Sequence, residues 1–207
     1  MARLFDRWKV GYGLSILTDI LPDAVEVEGR EYAVNTNFRD CLKVVMAFED
    51  EELTGLEKQM ILLQVMYPVK PDNTEKAMEM AVKFLDGAVE GDGEKSDEKP
   101  ERLFSWAKDA NYIFAAFKQT HGIDLDKEKD MHWWKFIALF MDLGSETFFC
   151  NLTALRKRIF SGKGSKEDYD YARELGHIFE IGQSDTRTPE QIEMDEIFDQ
   201  ALEGRQV

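Results

Sequence analysis

Two spacings of apolar residues alternate along this chain. Val25 and Val27 share one face of an extended segment, Gly29 interrupts it, and Tyr32 and Val34 share a face beyond. Period-two alternation around a glycine turn predicts a β-hairpin, and it is the only convincing strand pair. Ahead of it, Gly11 and Gly13 break any helix, and Leu21-Pro22-Asp23 reads as a turn. Beyond it the period becomes helical. Asn37 with Asp40 caps a helix carrying Phe38, Leu42 and Val45. Thr54-Gly-Leu-Glu57 is a capping box opening a helix with Leu56, Met60, Leu63 and Tyr67 on its expected core face, and Pro68 stops it. Asn73 caps a third, with Ala77, Ala81, Phe84 and Ala88 in register.

Residues 89–102 carry charge at nine of fourteen positions and one large apolar side chain, Val89. That composition predicts a mobile acidic loop within one domain spanning 1–181, since either half alone would have a small core. Past the loop, Ser105 is the expected cap of a helix striped by Trp106, Ala110, Ile113 and Phe117, with Gly122 suited to its end. From about Asp130 to Leu143 the apolar residues point nearly all round, which predicts a buried central helix. Ser145 is the expected cap of the next, with Phe148, Leu152, Leu155 and Ile159 in register; Ser165 with Asp168 caps another, carrying Tyr171, Leu175 and Ile178. Gly182–Thr188 reads as a linker. Thr188, Pro189 and Gln191 fit the cap, first and third positions of a last helix striped by Met194, Ile197, Phe198, Ala201 and Leu202. The predicted fold is therefore mainly α: a bundle of about seven to eight helices with one short N-terminal hairpin, then an acidic C-terminal helix within 182–207.

Composition narrows the partners. Over 207 residues the formal net charge is -15, a field that repels phosphate backbones and anionic membrane surfaces. No uninterrupted apolar run reaches the ~18 residues of a membrane span. The charge is uneven. From Glu167 to Glu203 twelve acidic residues face only Arg173 and Arg187, whereas Thr147 to Lys166 has no acidic residue and carries Arg156, Lys157, Arg158, Lys163 and Lys166. A basic run beside an acidic tail predicts polar pairing within the molecule or between copies.

Candidate chemistry does not assemble. Cys41 and Cys150 are far apart and fit no metal spacing, and three histidines form no cluster. Glu128 and His132 are half a metal site, and a capping role suits His132 better. Asp124-Leu-Asp126-Lys-Glu128 looks like a calcium loop, but Lys129 stands where its glycine belongs and Lys135 where its last glutamate belongs. No catalytic residue, cofactor or metal is expected, and the protein is read as a non-enzyme that binds other proteins. In Trp133-Trp134-Lys135-Phe136, Trp133 belongs to a core stripe with Phe136, Ile137 and Phe140. Trp134, beside Ala138 and Met141, faces either a partner or the first half of the chain. The expected protein-binding residues are Trp134, Met141, Arg156, Lys157, Arg158, Ile197 and Phe198.

Specific strings then resemble a family. Leu17-Thr18-Asp19, Leu21-Pro22-Asp23, Val25, Val27, Gly29, Tyr32, Val34, Thr36 and Phe38-Arg39 are similar to the opening of the phage gene-product-fifteen family. The stronger match is Asp109-x-x-Tyr112-Ile113-x-Ala115-Ala116-Phe117, Gly122-Ile-Asp-Leu125 and His132-Trp-Trp-Lys-Phe136-x-Ala138-Leu-Phe140-x-x-Leu143. The resemblance runs from about Leu17 to Ile181. It implies a tailed-phage or prophage protein encoded among the tail genes, near the tape measure protein. The implied role is a tail assembly chaperone in the cytoplasm of the infected or lysogenic bacterial host. Its expected partners are the tape measure or another tail protein, with homo-oligomers possible in principle and neither nucleic acid nor membrane bound. Other classes are an acidic protein that inhibits a host nucleic-acid-binding or defence enzyme by DNA mimicry, or a permanent virion tail component.

Overall fold

A computed structural model describes residues 20–87 and 102–181. Among these residues the fold is mainly α, as the spacing predicts, with seven α-helices and one antiparallel hairpin. Strands β1 (Ala24–Val27) and β2 (Arg30–Ala33) pair with Val25 opposite Tyr32 and Val27 opposite Arg30. Their two-residue turn has positive φ at both Glu28 (51°) and Gly29 (79°). Such a turn matches the twist of the strands it joins. Val27, Tyr32 and Val34 are buried, so the hairpin lays one apolar face on the helices.

Three helices follow: α1 (Phe38–Glu49), α2 (Gly55–Met66) and α3 (Thr74–Leu85). The expected caps form. The Asn37 side chain accepts from the Arg39 amide, Thr54 and Glu57 exchange both bonds of a capping box, and Asn73 accepts from the Lys76 amide. The expected core face of α2 forms only in part, at Leu63 and Tyr67. Leu62, Met66 and Tyr67 are buried, while Leu56 and Met60 are 68% and 59% exposed. Seven of the twelve residues of α2 are apolar. Its own pattern therefore selects no face, and packing against α1 decides.

The second half contributes α4 (Ala110–His121), α5 (Trp133–Met141), α6 (Phe148–Phe160), α7 (Lys166–Leu175) and a 3-10 turn at Gly176–Ile178. Gly122 closes α4 with φ 68°, the left-handed conformation that glycine adopts most cheaply. Two expected helix starts move. Ser105 is buried in a turn, its amide bonded to the Asp109 carboxylate, so α4 begins five residues later. Thr147, not Ser145, caps α6, because its hydroxyl accepts from the Cys150 amide. α5 is shorter than expected and leaves Lys135, Ala138 and Met141 at the surface.

One core cluster draws on both sides of residues 88–101, from Val27 to Phe149. Its centre is Phe136, whose ring stacks on Phe38 (4.9 Å), Phe117 (5.0 Å) and Trp133 (5.7 Å). The starts of α1 and α5 are joined by an antiparallel bridge between Asn37 and His132. There the Phe38 amide donates to Met131 O (3.0 Å) and the Trp133 amide to Thr36 O (2.7 Å). Among the described residues, no helix is long and apolar enough to cross a membrane.

Candidate protein interface

The histidine at the start of α5 is a cap. His132 Nδ1 accepts from the Trp134 amide (3.1 Å), and Nε2 lies 3.0 Å from Pro22 O. A carbonyl only accepts, so Nε2 carries the proton and the ring is the Nε2-H tautomer. The two tryptophans that follow point at the end of α3. Trp133 Nε1 donates to Leu85 O and Trp134 Nε1 to Phe84 O, both at 2.8 Å. A helix leaves its last carbonyls without i+4 partners; the Trp133 indole serves Leu85 O, and the Trp134 indole is a second donor to Phe84 O, which also accepts from the Gly87 amide (3.1 Å). Trp134 is thus half-buried against the first half of the chain, one of the two owners its position allowed, and is not a free contact residue. Met141, 78% exposed, stands at the surface.

The basic run on α6 resolves into three different situations. Arg156 is completely buried, which corrects its expected surface role. Its guanidinium holds the Asp109 carboxylate through two bonds, Nη1–Oδ2 at 2.7 Å and Nη2–Oδ1 at 3.1 Å. The remaining donors reach Leu103 O (3.2 Å), Phe179 O (2.9 Å) and Ile178 O (2.7 Å). The sequence carried a signal for this burial. Arg156 is four residues beyond Leu152 and seven beyond Phe149, both buried, so it continues the inner face of α6. Leu152 and Leu155 are buried as the stripe predicts, but by the same register Phe149 is buried and Phe148, its expected first member, is exposed. Arg158 is exposed but bonded to Asp168 through Nε (3.1 Å) and Nη2 (2.6 Å). That contact, with the Ser165 amide, lowers the Asp168 carboxyl to about 2. Lys157 is exposed, and no carboxylate lies within ion-pair distance of it among the described residues. Ile197 and Phe198 fall outside the described residues, as do the linker, the C-terminal helix and all of the expected acidic loop except Arg102.

The segment that Arg156 fixes lines an open cleft of about 750 Å³, walled by Phe48, Phe104, Phe140 and Phe149. Phe104, Phe140 and Phe149 form a triangle with centroids 5.4 to 5.7 Å apart. Phe48, at the end of α1, is half-exposed and also lines the cleft, and Lys58 of α2 donates to its carbonyl (3.2 Å). Thr153 of α6 also faces the cleft, and Lys157 follows it by one turn on the same face. At the rim, Glu49 pairs with Arg102 and accepts from Ser105 Oγ (3.2 Å) and the Trp106 amide (3.1 Å). Burial raises the Glu49 carboxyl above its ordinary range, against the pull of Arg102. Four aromatics from four chain segments make this wall, so no local pattern in the sequence marks it.

Elsewhere the candidate ligand groups are engaged by the protein itself. Arg39 donates to the carbonyls of Leu125 (2.6 Å), Asp126 (3.3 Å) and Glu128 (3.4 Å), and Asp124 pairs with Lys127 and Lys118. The loop that looks like a calcium site is therefore already organised around a guanidinium. Among the described residues no group of three or more His, Cys, Asp or Glu could hold a metal ion.

These features define a small helical protein whose described surface offers an aromatic cleft with a charged rim. The family model described as Bacteriophage Gp15 protein matches residues 17–181, and the chain belongs to that family. It is a phage protein. No curated protein and no solved structure matches the chain.

Proposed function

We propose that this protein is a tail assembly chaperone. On this reading it binds an apolar stripe of the phage tape measure protein in the cytoplasm of the infected or lysogenic host, until tail tube subunits assemble around that protein. It works by binding and not by catalysis. The observation that carries the reading is the cleft walled by Phe48, Phe104, Phe140 and Phe149. Its volume falls within the ~300–1,000 Å³ typical of sites that hold a ligand or inserted side chains. An amphipathic helix binds such a groove through side chains spaced three and four apart. The net charge of -15 keeps a complex with a long apolar-striped helix in solution. Membership of a phage family supports a phage partner.

The test is co-expression of the full chain with the tape measure protein of the same phage. The expected result is a soluble complex that copurifies, and its loss in Phe48→Asp. A tape measure protein that is equally soluble alone, or equally captured by Phe48→Asp, contradicts the proposal. Phe48 is already half-exposed, so the substitution disturbs the cleft more than the fold.

A further inference from the structure

We infer that the chain carries its own occupant for the cleft: in the absence of a partner, the stripe Met194, Ile197, Phe198 and Ala201 docks against Phe48, Phe104 and Phe140 of the same molecule. The inference rests on reading the cleft as a helix-binding site, not on the identity of the phage partner.

The first support is where the described chain ends. Ile181 is buried and lines a second hollow of about 780 Å³. That hollow shares Glu49, Glu51 and Arg102 with the aromatic cleft. The last described residue, Ile181, therefore lies beside the cleft. The seven residues 182–188 can reach about 25 Å when extended, enough to carry Pro189 across its mouth.

The second support is the pattern beyond. Met194, Ile197, Phe198 and Ala201 repeat at i, i+3, i+4 and i+7, the signature of a helix with one apolar face. Thr188 and Pro189 supply a strong start. A helix of this length is marginal in water by itself, so its apolar face requires a surface. Tethering favours the same molecule over a second copy, because a short linker holds its cargo at an effective concentration on the order of millimolar.

Charge agrees, as a smaller effect. Asp185, Glu190, Glu193, Asp195, Glu196, Asp199 and Glu203 face a single cation, Arg187, in this stretch. Lys58 in the cleft wall and Lys157 one turn past Thr153 have no carboxylate within ion-pair distance among the described residues. Glu51 on the rim opposes them, while Glu49 is offset by Arg102. Occupied by its own tail, the cleft keeps its aromatics from water, and a partner helix binds by displacing that tail.

Hydrogen exchange on the full-length protein alone tests this. The expected result is protection of amides in 190–202, together with 48–53 and 103–106, independent of protein concentration. Ile197→Asp with Phe198→Asp should accelerate exchange in both regions by roughly tenfold or more, and Phe48→Asp should release 190–202. Absence of protection in 190–202 overturns the inference. So does protection that survives Phe48→Asp, or protection that grows with concentration alongside a dimer mass in light scattering, which identifies a second copy as the occupant. Because no phage partner is present, failure here leaves the chaperone reading standing. Failure of tape measure binding leaves this result standing in turn.

Discussion

Arg156 and Asp109 form a fully buried two-bond ion pair across 47 residues of sequence, and the same guanidinium reaches three backbone carbonyls. The pair ties α6 to the start of α4, to the segment bearing Phe104, and to the end of the described chain. It therefore holds one wall of the cleft in place.

Removing one member of a buried pair strands the other charge. Arg156→Ala should cost about 3–5 kcal/mol, and Arg156→Lys should recover little, because an ammonium cannot replace a planar fork bonded to four groups. Arg156→Met combined with Asp109→Leu should cost less than Arg156→Ala. Urea denaturation of the variants checks this order. Equal costs for Arg156→Ala and Arg156→Lys near zero would show that the pair does not hold the fold.

Trp133 and Trp134 donate to adjacent carbonyls, but only Trp133 is fully enclosed. Trp133→Ala should cost about 3–5 kcal/mol, the range for a buried aromatic, and Trp134→Ala clearly less. Trp133→Phe and Trp134→Phe, which keep a ring and lose the indole bond, should each lose about 0.5–1.5 kcal/mol for that bond, on top of any packing change. Thermal unfolding in a common buffer decides, and a reversed order for the two alanine variants contradicts the assignment.

Leu56 and Met60 tell the two faces of α2 apart. Leu56→Gln and Met60→Gln should change stability by no more than about 0.5 kcal/mol, whereas Leu62→Ala should cost about 2–5 kcal/mol. Denaturant midpoints for the three variants distinguish the observed face from the one the spacing suggests.

The pH dependence has two opposite parts. Bonds from Lys76 and Lys83 lower Glu79 from 4.5 to about 2, and the Arg158 contact lowers Asp168 from 3.8 to about 2. Both carboxylates favour the folded state above their unfolded values, and that contribution is lost as pH falls toward 2. Glu79 is exposed and Asp168 is partly covered beside the exposed Arg158, so added salt should shrink the effect, more for Glu79 than for Asp168. Glu49 is raised, so its ionisation disfavours the folded state as pH rises through the interval above 4.5. The melting temperature of Glu49→Gln relative to the parent should therefore rise between pH 4 and pH 7. A relative value that falls over this range contradicts the burial of Glu49.

What the sequence made legible was local. The Thr54–Glu57 and Ser165–Asp168 boxes, the Asn73 cap and the Gly122 terminus each depend on residues within one turn, and all form. The hairpin was readable for the same reason. What escaped depends on distant partners. A basic run looks like surface until Asp109 arrives to neutralise Arg156, and only Phe84 O, 50 residues away, decides which of its two allowed surfaces Trp134 meets. The aromatic cleft is the extreme case, since Phe48, Phe104, Phe140 and Phe149 come from four separate segments.

The central claim is that this cleft receives an apolar helix of a phage partner. The most direct measurement places a photoactivatable phenylalanine analogue at Phe48, and separately at the exposed Tyr171 of α7, in full-length protein co-expressed with the tape measure protein. The account predicts strong crosslinking to apolar positions of the tape measure from position 48, displacing any crosslink to residues 190–202 of the chain itself, and little from position 171. Crosslinking from position 171 that equals or exceeds that from position 48 would contradict it.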